Sequence, residues 1–195
     1  MDVYLINRTD RPERRKHAMA QFEEQNINAH VFPAVIKKPG WEGCRDSHLG
    51  CLVRILASEE MGLVCEDDVL FVESIDIAFE AMCELPVDWD LLYLGCSPQE
   101  PMIRYSEHLY RVTKAWCTHA MLWNPRPNGA MEFIFDADDR DEIGKFDVFL
   151  SEQVMPKFNV FCVYPLVATQ AEFPSDIARR SDVSTIAKNF NRFAV

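Results

Sequence analysis

The stretch Gly62-Leu63-Val64-Cys65 is apolar and of strand length, and it stops on three consecutive acids, Glu66, Asp67 and Asp68. A buried strand that ends this way brings like charges together at its tip, which costs free energy unless positive charge lies among them. The simplest such charge is a divalent cation. Glu66 and Asp68 stand two residues apart, a spacing that suits a bend after a strand end. Hard oxygen ligands of this kind hold Mn²⁺ or Mg²⁺, with substrate phosphates completing the shell. The plainer reading of the same residues is a solvated acidic turn.

The chain has 195 residues, enough for one domain with a substantial core and hardly enough for two. Its hydrophobic fraction of 48% and charged fraction of 26% are those of a soluble globular protein. No apolar run approaches the length of a membrane span. Met1-Asp2-Val3-Tyr4-Leu5-Ile6 lacks the basic start and long apolar stretch of a secretory signal. The seven cysteines are odd in number, form no C-x-x-C pair and partly lie inside apolar runs, which predicts reduced thiols in a cytoplasmic setting. A net charge of −11 argues against nucleic acid as a partner. Residues 1–60 hold nine Lys/Arg and nine Asp/Glu, so the acidic excess lies entirely after residue 60.

Periodicity predicts strands at Val3–Asn7, Asn28–Val35, Gly62–Cys65 and Trp89–Gly95, two more within Leu109–Asn124, and a last one within Asn159–Val167. Helices are expected from Asp10 to about Asn26, over Asp46–Glu60, Ser74–Leu85 and Asp147–Lys157, and in part over Pro125–Phe135. Asp10 reads as an N-cap acid before an early Pro12. Leu49, Leu52, Val53 and Leu56 should share the apolar face of the second helix, and Pro39–Gly43 reads as a loop. The last twenty residues read as a peripheral helix or a tail. Strands alternating with helices indicate an α/β fold with a mostly parallel sheet, whose ligands gather at the carboxyl ends of the strands. Asn7 and the acid triplet both fall at such ends.

The first helix is charged against its own dipole. Its N-terminus favours acids, yet Arg11, Arg14, Arg15 and Lys16 crowd the first turns. Arg14 shares a face with Ala18 and Phe22, which places it at the rim of the buried side. An anion docked there accounts for the pattern, since arginine and helix N-termini both suit phosphate. The alternative is a solvated basic face balanced by Asp10 and Glu13. Before the second helix, Asp46 or Ser47 is a natural N-cap, with His48 in the first turn and close to the acid triplet. Ser47 and His48 serve equally well as a structural lock between loop and helix. His119, in an apolar strand pattern, reads first as a hydrogen-bonded core residue. Asp147 opens a helix, where it is either an N-cap or a carboxylate held rigidly as a general base. Asp176 follows the last strand and is placed to return to the crevice as a metal ligand.

These blocks together resemble the family-25 glycosyltransferases, typified by lipopolysaccharide β-galactosyltransferases and the collagen galactosyltransferase domains. The resemblance is carried by Val3-Tyr4-Leu5-Ile6-Asn7 with Arg11 and Arg14, Phe32-Pro33-Ala34-Val35, Gly43-Cys44 with Ser47-His48, and Glu66-Asp67-Asp68-Val69. Later blocks are Leu91-Leu92-Tyr93-Leu94-Gly95, Thr118-His119-Ala120, Tyr164-Pro165-Leu166-Val167, Gln170 and Ser175-Asp176-Ile177. It implies a GT-A-like nucleotide-diphospho-sugar transferase fold, a UDP-sugar donor, Mn²⁺ (or Mg²⁺), inversion at the anomeric carbon, and a glycan or glycoprotein acceptor. Carried over, Glu66 and Asp68 would hold the metal with Asp176 as a third ligand, and Asp67 would lie near the ribose or sugar. Asn7, Arg11 and Arg14 would line the nucleotide side, beside Ser47 and His48. Asp147 would be the base, with Glu152 the nearby alternative. The competing function is a degenerate, non-catalytic domain that binds a nucleotide sugar or a partner. A metal phosphohydrolase is disfavoured, because the acids form no D-x-D-x-[T/V] nucleophile motif.

Overall fold

The computed structural model describes residues 1–173 and 183–194. The chain opens with β1 (Asp2–Asn7), α1 (Pro12–Glu24), β2 (His30–Pro33), α2 (Gly40–Ser58) and β3 (Gly62–Glu66). A two-residue turn leads into β4 (Val69–Phe71), then α3 (Asp76–Met82) and β5 (Leu91–Tyr93). Five short strands follow: β6 (Ser97–Pro98), β7 (Ile103–Arg104), β8 (Leu109–Arg111), β9 (Ala115–Trp116) and β10 (Ala120–Trp123). The remaining elements are α4 (Ala130–Asp139), α5 (Phe146–Phe149) running into a π-helical turn (Leu150–Val154), β11 (Val160–Val163), β12 (Ala168–Gln170) and α6 (Val183–Phe193).

The fold is α/β. Eight strands form one sheet in the order β2-β1-β3-β10-β5-β11-β8-β7. Strands β10 and β8 run against the other six, so the sheet is mostly parallel in direction with two reversed members. Strands β5, β10 and β11, and β3 up to Glu66, are apolar and buried, as expected of strands covered on both faces. Within β1 the period of two is visible: Val3 and Leu5 join the layer that includes Ala18 and Phe22 of α1. Tyr4 and Ile6 join the opposite layer, with Leu52 and Ile55 of α2 and Phe149 of α5.

Two features of this packing place the functional residues. Strands β1 and β3 pair in parallel with Ile6 opposite Glu66, so Asn7 and Asp67 emerge side by side at one sheet edge. Strand β12 pairs with β4, Gln170 opposite Val69, and so comes against the same edge. This approach needs Gly95, since a Cβ there would lie 1.8 Å from the Ala168 carbonyl oxygen.

Several expected boundaries move. Helix α1 begins at Pro12 with Arg11 at its N-cap position and no side-chain cap. Asp10 is instead held by Arg8, whose Nε and Nη2 donate to its two oxygens at 2.9 and 2.8 Å. Helix α2 begins at Gly40, not Asp46, so Asp46 and Ser47 are inside the helix rather than capping it, and His48 stands well past the first turn. Val53 is exposed, and the buried face of α2 is built from Leu49, Cys51, Leu52 and Ile55. The helix expected over Asp147–Lys157 is a short α5 continued by the π turn, with Lys145 rather than Asp147 at the N-cap position. Three short strands, not two, lie between Leu109 and Asn124. All seven cysteines are free thiols. Among the described residues, no helix is long and apolar enough to cross a membrane.

Candidate functional site

The acid triplet sits where β3 turns into β4, and its three carboxylates meet three different environments. Asp67 is paired: Arg14 Nη2 lies 2.6 Å from its Oδ1, and Asn7 Nδ2 donates to its Oδ2 at 2.8 Å. Asn7 also donates to the Arg11 carbonyl at 3.2 Å, which ties the end of β1 to the start of α1. Arg14 is buried on the same helical face as Ala18 and Phe22, as its spacing predicts. It reaches Asp68 Oδ2 at 3.2 Å and stacks over the Phe173 ring at 5.2 Å.

Glu66 points into a polar nest of its own. Thr118 Oγ1 donates to its Oε1 at 2.5 Å, and His48 Nε2 lies 3.1 Å from the same oxygen. Burial works to raise the Glu66 carboxyl, but the bond to His48 and its charge, with Thr118 and His119 assisting, outweigh it and hold the group at about 2. His48 is buried, stacks on Phe146 at 5.1 Å and 17°, and its Nδ1 has no hydrogen-bond partner among the described residues.

Asp68 is the least compensated. Its Oδ2 takes Arg14 and a long 3.4 Å bond from Gln170 Nε2, while its Oδ1 is buried with no hydrogen-bond partner among the described residues. Burial and the Glu66 charge push this carboxyl up to about 7, with Arg14 pulling the other way. A buried oxygen without a donor, beside a second carboxylate, is a local deficit of positive charge. Glu66 and Asp68 are hard oxygen donors of the kind Mn²⁺ and Mg²⁺ take, so the residues fit such an ion.

Beside the acids opens a cleft of about 110 Å³. Its lining is apolar at Ile6, Ala34, Val35 and Ile36 and also presents Arg8, Arg14 and Lys37 together with His48, Glu66 and Asp67. Such a cleft has an apolar surface for a flat ring and cations for an anionic group.

Ser47 serves the architecture of this wall. Its Oγ donates to the Gly43 carbonyl at 2.6 Å and accepts the Val35 amide at 2.8 Å, locking α2 to the segment after β2. Asp147 stands in the first turn of α5, where its Oδ1 accepts the Val148 amide at 2.9 Å. Its charge reaches the thiols of Cys44 and Cys117, which places it on the same side of the molecule as the acids. Glu152 is exposed on the π turn and makes none of the site's hydrogen bonds. His119 is a core residue: it is fully buried, Nε2 pairs with the Ala168 carbonyl at 3.2 Å, and burial lowers its pKa. Asp176 lies outside the described residues.

Sequence reading misses Lys37 and the apolar residues 34–36 as a cleft wall, and Thr118 as the donor on Glu66. Their signal is weak, since each stands in a segment that reads as a loop or a strand end. Cys44 belongs to a sequence motif, but its nearness to Glu66 is a contact that no spacing rule supplies.

No family profile and no curated protein matches this chain. Among solved structures it is similar to the A197 protein from STIV, with a TM-score of 0.48 at 10% identity over 90% of this chain and 87% of that one. It is also similar to a mannose-1-phosphate geranyltransferase from Thermus thermophilus, with a TM-score of 0.41 at 15% identity over 82% of this chain and 58% of that one. A third is the galactosyltransferase LgtC in complex with donor and acceptor sugar analogs, with a TM-score of 0.39 at 12% identity over 99% and 95%. At such identities function has to be read from the site itself.

Proposed function

We propose that this chain is a metal-dependent inverting glycosyltransferase that moves a hexose from a UDP-sugar to a hydroxyl of a glycan or glycoprotein acceptor. The observation that carries the reading is Asp68: a partly buried carboxylate whose buried Oδ1 has no hydrogen-bond partner among the described residues, two positions from Glu66, which lines a cleft together with Arg8, Arg14 and Lys37. Its place at the end of a β-strand and the family-25 resemblance of the surrounding blocks support the same reading.

Glu66 and Asp68 would hold the ion, which when bound supplies a Lewis acid to the donor diphosphate. Arg14 has two tasks: it keeps Asp67 paired, and its guanidinium lies where charge accumulates as UDP departs. The apolar wall at residues 34–36 suits the base of the nucleotide. Asp147 is the proposed general base. It would take the proton from the acceptor hydroxyl as that oxygen bonds to the anomeric carbon, on the face opposite the departing diphosphate.

The test is a thermal-shift panel of UDP, GDP, CMP and their sugar conjugates, with and without Mn²⁺, on wild type and Asp68→Ala. A ligand at 100 times its Kd stabilises the folded state by about 2.7 kcal/mol, well within detection. A Mn²⁺-dependent shift with one nucleotide, absent in Asp68→Ala, is the expected result. No shift with any nucleotide sinks the proposal. Binding without sugar transfer to any acceptor would instead favour the non-catalytic reading.

A further inference from the structure

We propose that Cys44, His48 and Glu66 form a separate transition-metal position that takes Zn²⁺ far more tightly than Mn²⁺ and keeps one coordination place open to the cleft. This position does not depend on the transferase reading. Its basis is convergence: one donor atom from each of the three side chains lies within 4.8 Å of the other two. All three residues line the cleft, so an ion has a path in.

The three donors come from two elements, α2 and the end of β3. Cys44 and His48 are four residues apart on α2 and therefore share one helical face. The helix sits tightly against the segment after β2, since a Cβ on Gly43 would lie 2.3 Å from the Val35 carbonyl oxygen. The His48 ring is fixed by stacking on Phe146, and its Nε2 already faces Glu66 Oε1 at 3.1 Å. Thr118 donates to the same Glu66 oxygen and helps to orient the carboxylate. In a tetrahedral zinc site, bonds of about 2.0–2.3 Å put the ligands about 3.3–3.8 Å apart. The observed triad needs to close by roughly 1 Å to reach that geometry.

Ligand chemistry sets the selectivity. A sulfur, nitrogen and oxygen set favours Zn²⁺ or Co²⁺, whereas Mn²⁺ prefers oxygen alone and stands lowest in affinity among first-row divalent ions. Binding converts the Cys44 thiol to a thiolate as the S–metal bond forms, and the proton leaves to solvent. Three protein ligands leave a fourth place for water or a ligand atom. Because Glu66 belongs to both positions, Zn²⁺ here withdraws it from the oxygen-only pair with Asp68. Zinc therefore acts as an antagonist of the Mn²⁺ form.

The test is a Co²⁺ titration of the metal-stripped protein, followed by absorbance. One equivalent of Co²⁺ should produce a thiolate-to-cobalt charge-transfer band, and one equivalent of Zn²⁺ should abolish it. Cys44→Ser should lose the band while keeping its melting temperature. His48→Asn, which leaves the thiol in place, should weaken Co²⁺ binding by at least the roughly 10–100-fold seen for supporting residues around metal sites. Asp68→Asn should retain the band even though it loses any Mn²⁺-dependent nucleotide shift, so the two metal readings fail separately. No charge-transfer band in wild type, or a band that survives in Cys44→Ser, overturns the assignment.

Discussion

Asp90, fully buried, and Asp68, partly buried, are both acids beside strands of one sheet, yet they are built for opposite ends. Asp90 precedes β5, at the edge where that strand begins, and is completely buried. Its Oδ1 accepts the Ala130 amide at 2.8 Å, and its Oδ2 accepts the Asn159 amide and Arg126 Nη2, both at 3.0 Å. One carboxylate thereby joins the starts of α4 and β11 to β5, with two amides and a guanidinium to satisfy it. Asp68 lies past the end of β3, shares one guanidinium with Asp67, and has an oxygen with no donor among the described residues. A fully satisfied buried charge is part of the architecture. A partly satisfied one costs stability and invites a ligand to complete it.

The comparison breaks most visibly at Asp90. Asp90→Ala should destabilise the fold by about 3–5 kcal/mol, because two amides and a guanidinium lose their acceptor together. Urea denaturation measures it, and a loss below about 1 kcal/mol would remove Asp90 as the architectural pole of the contrast.

The next effect is at the other pole. Asp68→Asn should not lower apo stability at neutral pH, since it removes a charge the fold penalises, while it abolishes Mn²⁺-dependent nucleotide stabilisation. The pH behaviour follows from the sign of the shift. The Asp68 pKa is raised in the fold, to about 7, so its penalty is fully present above that pH and fades as pH falls toward the unfolded value. Wild type should therefore gain stability relative to Asp68→Asn on acidification from about pH 8 to about pH 5, as followed by melting temperature.

Ser47 tests whether the cleft wall is architecture or ligand site. Ser47→Ala leaves the Val35 amide without its acceptor and should cost about 1–3 kcal/mol of stability. An unchanged melting temperature combined with weakened nucleotide binding would move Ser47 to the functional side.

The smallest effect concerns a second carboxylate of the structural kind. Glu84 bonds His108 through ring Nδ1 at 2.5 Å and through its amide at 3.1 Å, joining the residues after α3 to the start of β8. The bond to Glu84 raises the His108 pKa. Burial acts to raise Glu84 as well, but its neighbours, with two bonds from His108 among them, prevail and hold it at about 2. The raised histidine contributes stability below its unfolded pKa, lost as pH climbs through the folded value. The depressed acid contributes above its own unfolded pKa, lost as pH falls toward about 2. The pair is thus strongest between those limits, and Glu84→Gln should flatten the melting-temperature profile in that window. An unchanged profile would show the pair to be inert.

The site is more legible in the sequence than the wall around it. Glu66–Asp68 announces itself because charge at a strand end is costly wherever it occurs. Arg14 is legible because a cation on the same helical face as Ala18 and Phe22 needs a partner. The start of α2 is not legible. Pro39-Gly40-Trp41 reads as a loop, yet the helix begins there because Gly43 permits close packing on the Val35 carbonyl, and that contact outweighs propensity. The π turn after α5 likewise leaves no mark on apolar periodicity.

Periodicity and local charge balance are therefore enough for the α/β class, for the order of the main strands and helices, and for an acid cluster facing a basic helix. These are properties of residues near one another in the chain. Partnership across the chain is settled only by packing. Thr118 reaches Glu66 across 52 positions, Gln170 reaches Asp68 across 102, and Asp90 meets Asn159 across 69. Whether a buried carboxylate is satisfied depends on such distant donors, and no local spacing encodes which of them arrive.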